Sequence, residues 1–373
     1  MAPDFHTYRE IKQQPRMWLK TLDILLSRKQ EIDTFLSHYL QEGYEVVLTG
    51  AGTSAYIGDA LAPVLFQTRL RGAKALPTTD ILTSPYLYFD RQSKVLLVSF
   101  ARSGNSPESV GAVRAVEKTA GSVAHIFITC NPKGELAQMK GDHILTLLLP
   151  PETNDVSLAM TSSYSTMLLT CSMLANIQQL EQHKVWLEAL AANVEKAMEQ
   201  YEPAIEAITR RDFKRAVFLG SGPLKGVAEE ARLKLQELTD GSVMCAYDSF
   251  LGFRHGPKAV VNADTLMVYF LSPEPAVRRY ELDLIPQVNA INHVKASVLV
   301  CTRRPEALPE GSEDLCVEIG IPEGIPPCYG CVAYIFVAQL LGLFKSINIG
   351  LSPDTPSISG NISRVVEGVT LYL

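Results

Sequence analysis

Serine and threonine hydroxyls gather at two places in this sequence where an apolar stretch runs into glycine. The first is Val46-Val47-Leu48-Thr49-Gly50-Ala51-Gly52-Thr53-Ser54 and the second is Leu96-Leu97-Val98-Ser99-Phe100-Ala101-Arg102-Ser103-Gly104-Asn105-Ser106. Each reads as a buried strand, a tight turn and the start of a helix. Backbone N–H groups, hydroxyls and the positive end of a helix dipole then aim at one spot, which suits an anion. Neither turn ends in Gly-Lys-Ser/Thr, and no well-placed dinucleotide fingerprint is present, so the anion these residues suit is a small phosphate monoester such as a sugar phosphate. In the second turn Gly104 permits the reversal, Ser103 and Ser106 offer O–H donors, and the helix starting near Pro107 supplies free N–H groups. Arg102 can add positive charge. A serine cap with nothing bound explains many isolated Ser-Pro-Glu helix starts. The matching Gly52-Thr53-Ser54 turn favours phosphate.

A second set of reactive types lies in the rear half. The run Glu229-Glu230-Ala231-Arg232-Leu233-Lys234-Leu235-Gln236-Glu237-Leu238 is strongly helical, and Lys234 and Glu237, three apart, share one face. The plain reading is a solvated surface ion pair of little energetic consequence. Downstream, Gly252-Phe253-Arg254-His255-Gly256-Pro257-Lys258 is a glycine-flanked loop presenting one histidine. A lone loop histidine is more often structural than catalytic. The remaining histidines, His6, His38, His125, His143, His183 and His293, carry no metal-ligand spacing, so no metal site is expected. Nor do the residues call for an organic cofactor.

These residues need a scaffold that alternates strands with helices. Candidate strands are Glu45–Thr49, Lys94–Phe100, His125–Thr129 and His143–Leu149, followed by a long, mostly buried helix over Met160–Ile177. Lys184–Arg211 reads as a charged helical bridge. The pattern then restarts: Arg215–Gly222 repeats the strand and Gly-x-Gly device of Val47–Gly52, with strands at Thr265–Leu271, Ser297–Thr302 and Leu315–Ile319 and a second apolar helix over Cys331–Ile347. Such alternation predicts an α/β protein of two tandem, doubly wound, flavodoxin-like parallel sheets joined near residue 210, an internal duplication. The expected spans are an N-terminal helical extension over 1–42, a phosphate-binding domain over 43–210 and a second domain over 211–373. Ligands of open α/β sheets sit at the carboxyl ends of strands, where both hydroxyl-rich turns fall.

The 373 residues suffice for two full cores, and 47% hydrophobic with 20% charged content is ordinary globular composition. A net charge of −6 without any basic cluster argues against nucleic acid. The start, Met1-Ala2-Pro3-Asp4-Phe5-His6, is too polar for a signal peptide, and the apolar run Cys331–Phe344 is short for a bilayer, so the expectation is a cytoplasmic protein with no membrane partner. Seven scattered cysteines are expected to stay reduced, and Cys328-Tyr329-Gly330-Cys331 lacks the companion pair or histidines that metal work would want.

Taken together, Gly50–Ser54, Arg102–Ser106, Lys234–Glu237 and Arg254–Pro257 resemble the tandem sugar-isomerase (SIS) domain enzymes. The layout is similar to the isomerase half of glucosamine-6-phosphate synthase, and more so to AgaS-type galactosamine-6-phosphate deaminase/isomerases. Pro77-Thr78-Thr79-Asp80, Ser99–Ser109, Ala159–Ser163, Gly252–Lys258 and Pro353-Asp354-Thr355-Pro356 carry the likeness to that subgroup. By this resemblance Ser103 and Ser106 hold the phosphate, with Gly52, Thr53, Ser54 and Thr161 around the sugar hydroxyls. Glu237 matches the proton-shuttling carboxylate, His255 the ring-opening histidine and Lys234 its partner lysine. Arg364 falls near a C-terminal lysine of the synthase, in a tail that differs. Ala101-Arg102 stands where the synthase has Ser-Gln, so one phosphate hydroxyl is missing and Arg102 is expected to compensate.

The resemblance implies conversion of a 2-amino-2-deoxyhexose 6-phosphate, galactosamine 6-phosphate by preference, to the 2-ketose 6-phosphate (tagatose 6-phosphate) and ammonia. No glutaminase half precedes the first SIS half here, and the expectation is that ammonia is product rather than reactant. It also implies a homodimer or larger homo-oligomer. A plain aldose–ketose isomerase, a deglycase and a non-catalytic sugar-phosphate sensor remain the competing readings.

Overall fold

A computed structural model describes residues 4–306, 308, 312–365 and 368–372; the polar start Met1–Pro3 lies outside them. Two five-stranded sheets, parallel throughout, carry flanking helices. The front sheet contains β1 (Glu45–Thr49), β2 (Lys74–Ala75), β3 (Lys94–Ala101), β4 (Ser122–Thr129) and β5 (Ile144–Leu148) in the order β2-β1-β3-β4-β5. The rear sheet contains β6 (Arg215–Gly220), β7 (Met244–Asp248), β8 (Thr265–Phe270), β9 (Ala296–Cys301) and β10 (Leu315–Glu318) in the order β10-β9-β8-β6-β7. Counted from its own first strand, each runs 2-1-3-4-5, the flavodoxin-like order. With every strand parallel, the order in which strands are added to the sheet changes sides between β1 and β3 and again between β6 and β8. At those two switch points the carboxyl ends leave a crevice for a ligand.

The principal helices are α1 (His6–Lys12), α2 (Gln14–Ser27), α3 (Lys29–Gln41), α4 (Thr53–Leu61), α5 (Pro107–Thr119), α6 (Ser162–Ala175), α7 (Leu180–Thr209), α8 (Pro223–Leu238) and α9 (Ile335–Asn348). Every residue of α6 is buried, which accounts for its lack of a polar face. The stretch Pro327–Asn348 has a mean hydropathy of 1.7 and is long enough to cross a membrane by composition alone, but 94% of its apolar window is buried inside the protein. The front core packs Val95, Leu97, Val113, Val116 and Phe127; the rear core packs Val217, Phe250, Met267, Tyr269 and Leu299.

The chain makes two compact units. One holds Arg16–Asp155, Met160–Leu187 and the chain from Ile362 onward; the other holds the chain up to Pro15, Val156–Ala159 and Glu188–Asn361. These units are interleaved, unlike the contiguous spans 1–42, 43–210 and 211–373 read from the sequence. Polar anchors explain the difference. In α1 the Thr7 N–H and hydroxyl both donate to Asp354 Oδ1 at 2.8 Å, and the Glu10 carboxylate accepts from Ser157. At the other end of the helical segment, Trp18 Nε1 of α2 donates to Ser165 Oγ of α6 at 3.0 Å. Short β2 and half-buried β7 have too little apolar patterning to be read from sequence, and neither was anticipated.

Candidate active site

The front cradle grows from the carboxyl ends of β1 and β3, which pair directly through Thr49 and Ser99. After β1, Gly52 adopts φ +53°, a conformation that favours glycine, and a Cβ at Gly50 would fall 2.5 Å from the Ser54 backbone. The Gly-Ala-Gly turn therefore brings the N-terminus of α4, with Thr53 and Ser54 both buried, close beneath the strand end. After β3, Gly104 turns with φ +67° and Ser106 caps α5, its Oγ accepting from the Ser109 N–H at 3.4 Å and donating to Ser109 Oγ at 2.7 Å. Asn131 Nδ2 donates to the Ser103 carbonyl at 2.9 Å, and Asn105 Oδ1 accepts from the Glu135 N–H at 2.9 Å. The Ser103–Ser106 turn is thus pinned from the segment after β4.

Thr161 stands at the N-cap position of α6 in the same unit. Its backbone N–H donates to Asp155 Oδ2 at 2.8 Å, as does that of Ser163 at 2.9 Å, and the Ser162 and Ser163 hydroxyls donate to the same carboxylate. This buried aspartate does the capping and was not recognised in the sequence. Arg364 then holds the aspartate's backbone. Its Nε and Nη2 donate to the Asp155 carbonyl at 2.8 and 2.6 Å, and Nη2 also meets Asn154 Oδ1 at 3.0 Å. Arg102, 7% exposed, donates Nη2 to the Arg364 carbonyl at 2.5 Å. Arg102, expected to compensate at the phosphate, and Arg364, expected to bind substrate, therefore form a brace between the C-terminal segment, β3 and the approach to α6.

In the rear unit, α8 presents Glu230, Lys234 and Glu237 at i, i+4 and i+7 on one face. Lys234 Nζ lies 2.6 Å from Glu237 Oε2 and 3.4 Å from Glu230 Oε1, with side-chain exposures of 1% for Lys234, 0% for Glu230 and 23% for Glu237. The expectation of a solvated surface pair for Lys234 and Glu237 is overturned. An ammonium this deep needs carboxylate company to stay charged, and only Glu237 reaches the surface. Glu230 was missed, although its i, i+4 spacing to Lys234 was there to be read.

His255 is exposed in the turn after β7, before Gly256 at φ +116°. Among the described residues it has no side-chain bond to Lys234 or Glu237. Glu237 sits in the last turn of α8, just before β7 begins, whereas His255 follows the carboxyl end of β7. About 13 Å of strand lies between those two ends at roughly 3.3 Å per residue. At the rear switch point Gly222 repeats the front turn with φ 57° and ψ −127°, against 53° and −126° at Gly52. Here, however, the buried Glu281 carboxyl lies near enough to Ser221 to be influenced by its hydroxyl, and it accepts from the Ser272 N–H at 2.8 Å.

The front unit sets helix N-termini and hydroxyls at the carboxyl ends of β1 and β3, and α8 of the rear unit carries a partly exposed carboxylate; the fold is a two-sheet parallel α/β architecture. The SIS domain family model matches residues 39–177. The D-galactosamine-6-phosphate deaminase AgaS of Escherichia coli is 36% identical over 98% of this chain and 95% of its own length, and that of Shewanella sp. strain ANA-3 is 39% identical over 99% and 92%. The crystal structure of tagatose-6-phosphate ketose/aldose isomerase from Escherichia coli superposes with a TM-score of 0.90 at 33% identity, covering 99% of this chain and 97% of that one. The chain belongs to the SIS-domain family, among its AgaS-type members.

Proposed function

We propose that this protein is a deaminating isomerase of a 2-amino-2-deoxyhexose 6-phosphate, D-galactosamine 6-phosphate by preference, releasing the 2-ketose 6-phosphate and ammonia. The observation that carries the reaction class is the buried Glu230–Lys234–Glu237 row, which leaves a single carboxylate, held by an ammonium, open to substrate. The amino-sugar assignment draws on the full-length likeness to the AgaS deaminases. Ser103 and Ser106, with the α4 turn at Gly52, Thr53 and Ser54, hold the phosphate and sugar hydroxyls. Thr161 contributes from the α6 N-terminus. His255 moves a proton between the ring oxygen and O1 to open the pyranose. Glu237 takes the C2 proton as O1 gains one, giving an enolamine, and returns it to C1. Water adds to the resulting C2 imine and ammonia leaves. Burial gives Lys234 a positioning role, fixing the Glu237 carboxylate.

Because β7 separates Glu237 from His255 within one chain, the reading includes a homo-oligomer in which the histidine of one copy serves the carboxylate of another. The near-identical Gly52 and Gly222 turns support a duplication of one ancestral half. A doubly charged sugar phosphate does not cross membranes unaided, which supports a cytoplasmic setting. The test incubates purified protein with galactosamine 6-phosphate and glucosamine 6-phosphate, measuring ammonia and ketose. Equal yields of both from the galacto compound are expected. Ketose formed from an aldose 6-phosphate, with no ammonia from either amino sugar, establishes the plain isomerase that the structural relative's name describes.

A further inference from the structure

Three residues that the sugar chemistry does not use meet at the amino end of the front sheet. Glu117 lies in the last turn of α5, His125 near the start of β4 and His143 immediately before β5. Parallel pairing brings the histidines together: the His125 N–H donates to the His143 carbonyl at 2.8 Å, and the rings lie 6.0 Å apart. One donor atom from each of the three residues lies within 4.8 Å of the other two. From these observations we propose a divalent transition-metal site, suited to zinc, formed by Glu117, His125 and His143.

Two independent observations carry it. His125 is fully buried, 0% exposed, yet neither ring nitrogen has a hydrogen-bond partner among the described residues. Buried polar nitrogens without partners are uncommon and costly. Nε2 lies 3.2 Å from Glu117 Oε1, within ion-pair distance. That separation is close to the edge of about 3.3 Å between donors of a tetrahedral zinc with bonds of about 2.0–2.1 Å. Second, pairing of β4 with β5 sets His143 beside the other two, so donor atoms from three separate elements converge. Two imidazoles and one carboxylate form a donor set typical of zinc with a water in the fourth position. His143 and Glu117 are exposed, so their side chains can rotate to close the remaining separations. The metal would tie the C-terminal end of α5 to β4 and β5, a structural clasp at the opposite end of α5 from Ser106. Sequence spacing hid this set because strand pairing, not a local motif, assembles it.

The test strips the full-length protein with chelator, then titrates ZnCl2 while heat flow and melting temperature are followed, with MgCl2 as the hard-cation control. One equivalent of zinc is expected to bind and raise the melting temperature, and magnesium to do neither. His143→Ala and Glu117→Gln, both at exposed positions, are expected to fold with the melting temperature of the stripped protein and to bind zinc at least tenfold more weakly. Zinc binding of equal strength in wild type and both variants overturns the site, because the metal would then be held elsewhere. Absence of any zinc-dependent shift in wild type overturns it as well.

Discussion

Glu281 Oε2 accepts from the Ser272 N–H at 2.8 Å, just beyond β8, so the rear switch point carries a carboxyl group of the protein's own. The Ser221 hydroxyl lies near enough to influence it. The equivalent turn in the front unit carries Ser103 and Ser106, and among the described residues no carboxylate is bonded to either hydroxyl. One scaffold built twice thus pairs the proposed phosphate cradle with a crevice that the protein fills from within. This division explains why the front turn is rich in hydroxyls while Gly220-Ser221-Gly222-Pro223 carries a single one.

Filling the crevice internally makes stability depend on pH. Burial pushes the Glu281 carboxyl above its usual range, with Ser221, Ser272 and Arg278 pulling the other way. The folded protein therefore keeps this proton to higher pH than the unfolded chain does. The stabilisation is complete below the ordinary carboxylate pKa of about 4.3 and is lost as pH rises through the raised native value. Glu281→Gln removes that dependence. The melting temperature of the variant relative to wild type should climb as pH is raised across this window, followed by calorimetry. Parallel profiles would remove the assignment.

The buried row on α8 makes a prediction about charge balance. Lys234→Met leaves Glu230 at 0% exposure without its ammonium, so a loss of about 3–5 kcal/mol is expected on denaturant unfolding. The double variant Glu230→Leu/Lys234→Met removes both buried charges and should regain most of that loss, yet still turn over poorly because Glu237 is no longer held. Recovery of turnover in the double variant would show that Lys234 does not position Glu237. Glu237→Gln should keep KM within a few-fold while kcat falls by the order of 10²–10⁴ seen when an acid–base group is removed.

Much of this architecture was legible in the sequence, and the reasons separate cleanly. Strands β1, β3, β6 and β8 carry apolar runs ending in glycine or hydroxyls, so their positions could be read within a residue or two. The Lys234–Glu237 pair was visible as spacing, but its burial was not, because α9, which packs over α8, is distant in sequence. Asp155 capping α6, and Arg364 bracing Asp155, depend on chain segments that meet only in the fold. The interleaved units were hidden for the same reason: Thr7 finds Asp354 through tertiary structure, and no local composition shift marks it.

If His255 and Glu237 of different copies share a site, mixed oligomers should show it. Glu237→Gln and His255→Ala are each expected to be nearly inactive alone. After unfolding and refolding as an equimolar mixture, a two-fold dimer pairs one intact carboxylate with one intact histidine in half of its mixed members' sites. Activity should then return to about a quarter of wild type for random pairing in a dimer. No gain above the separate variants, with mixed dimers confirmed by mass spectrometry, would place both groups in one chain.

The Ser106 side chain has two tasks that one substitution can separate. It caps α5 and, in the proposed reaction, donates to phosphate. Ser106→Ala loses both, with about 1 kcal/mol lost from the cap. Ser106→Asp keeps a cap acceptor and adds a negative charge at a helix N-terminus, so its melting temperature should match or exceed wild type. The same charge repels a phosphate dianion. KM for the phosphorylated sugar should therefore rise more in Ser106→Asp than in Ser106→Ala, although Ser106→Asp is the more stable protein. Steady-state kinetics with melting curves on the same preparations decide it. A KM that follows stability instead would mean that Ser106 serves the helix alone.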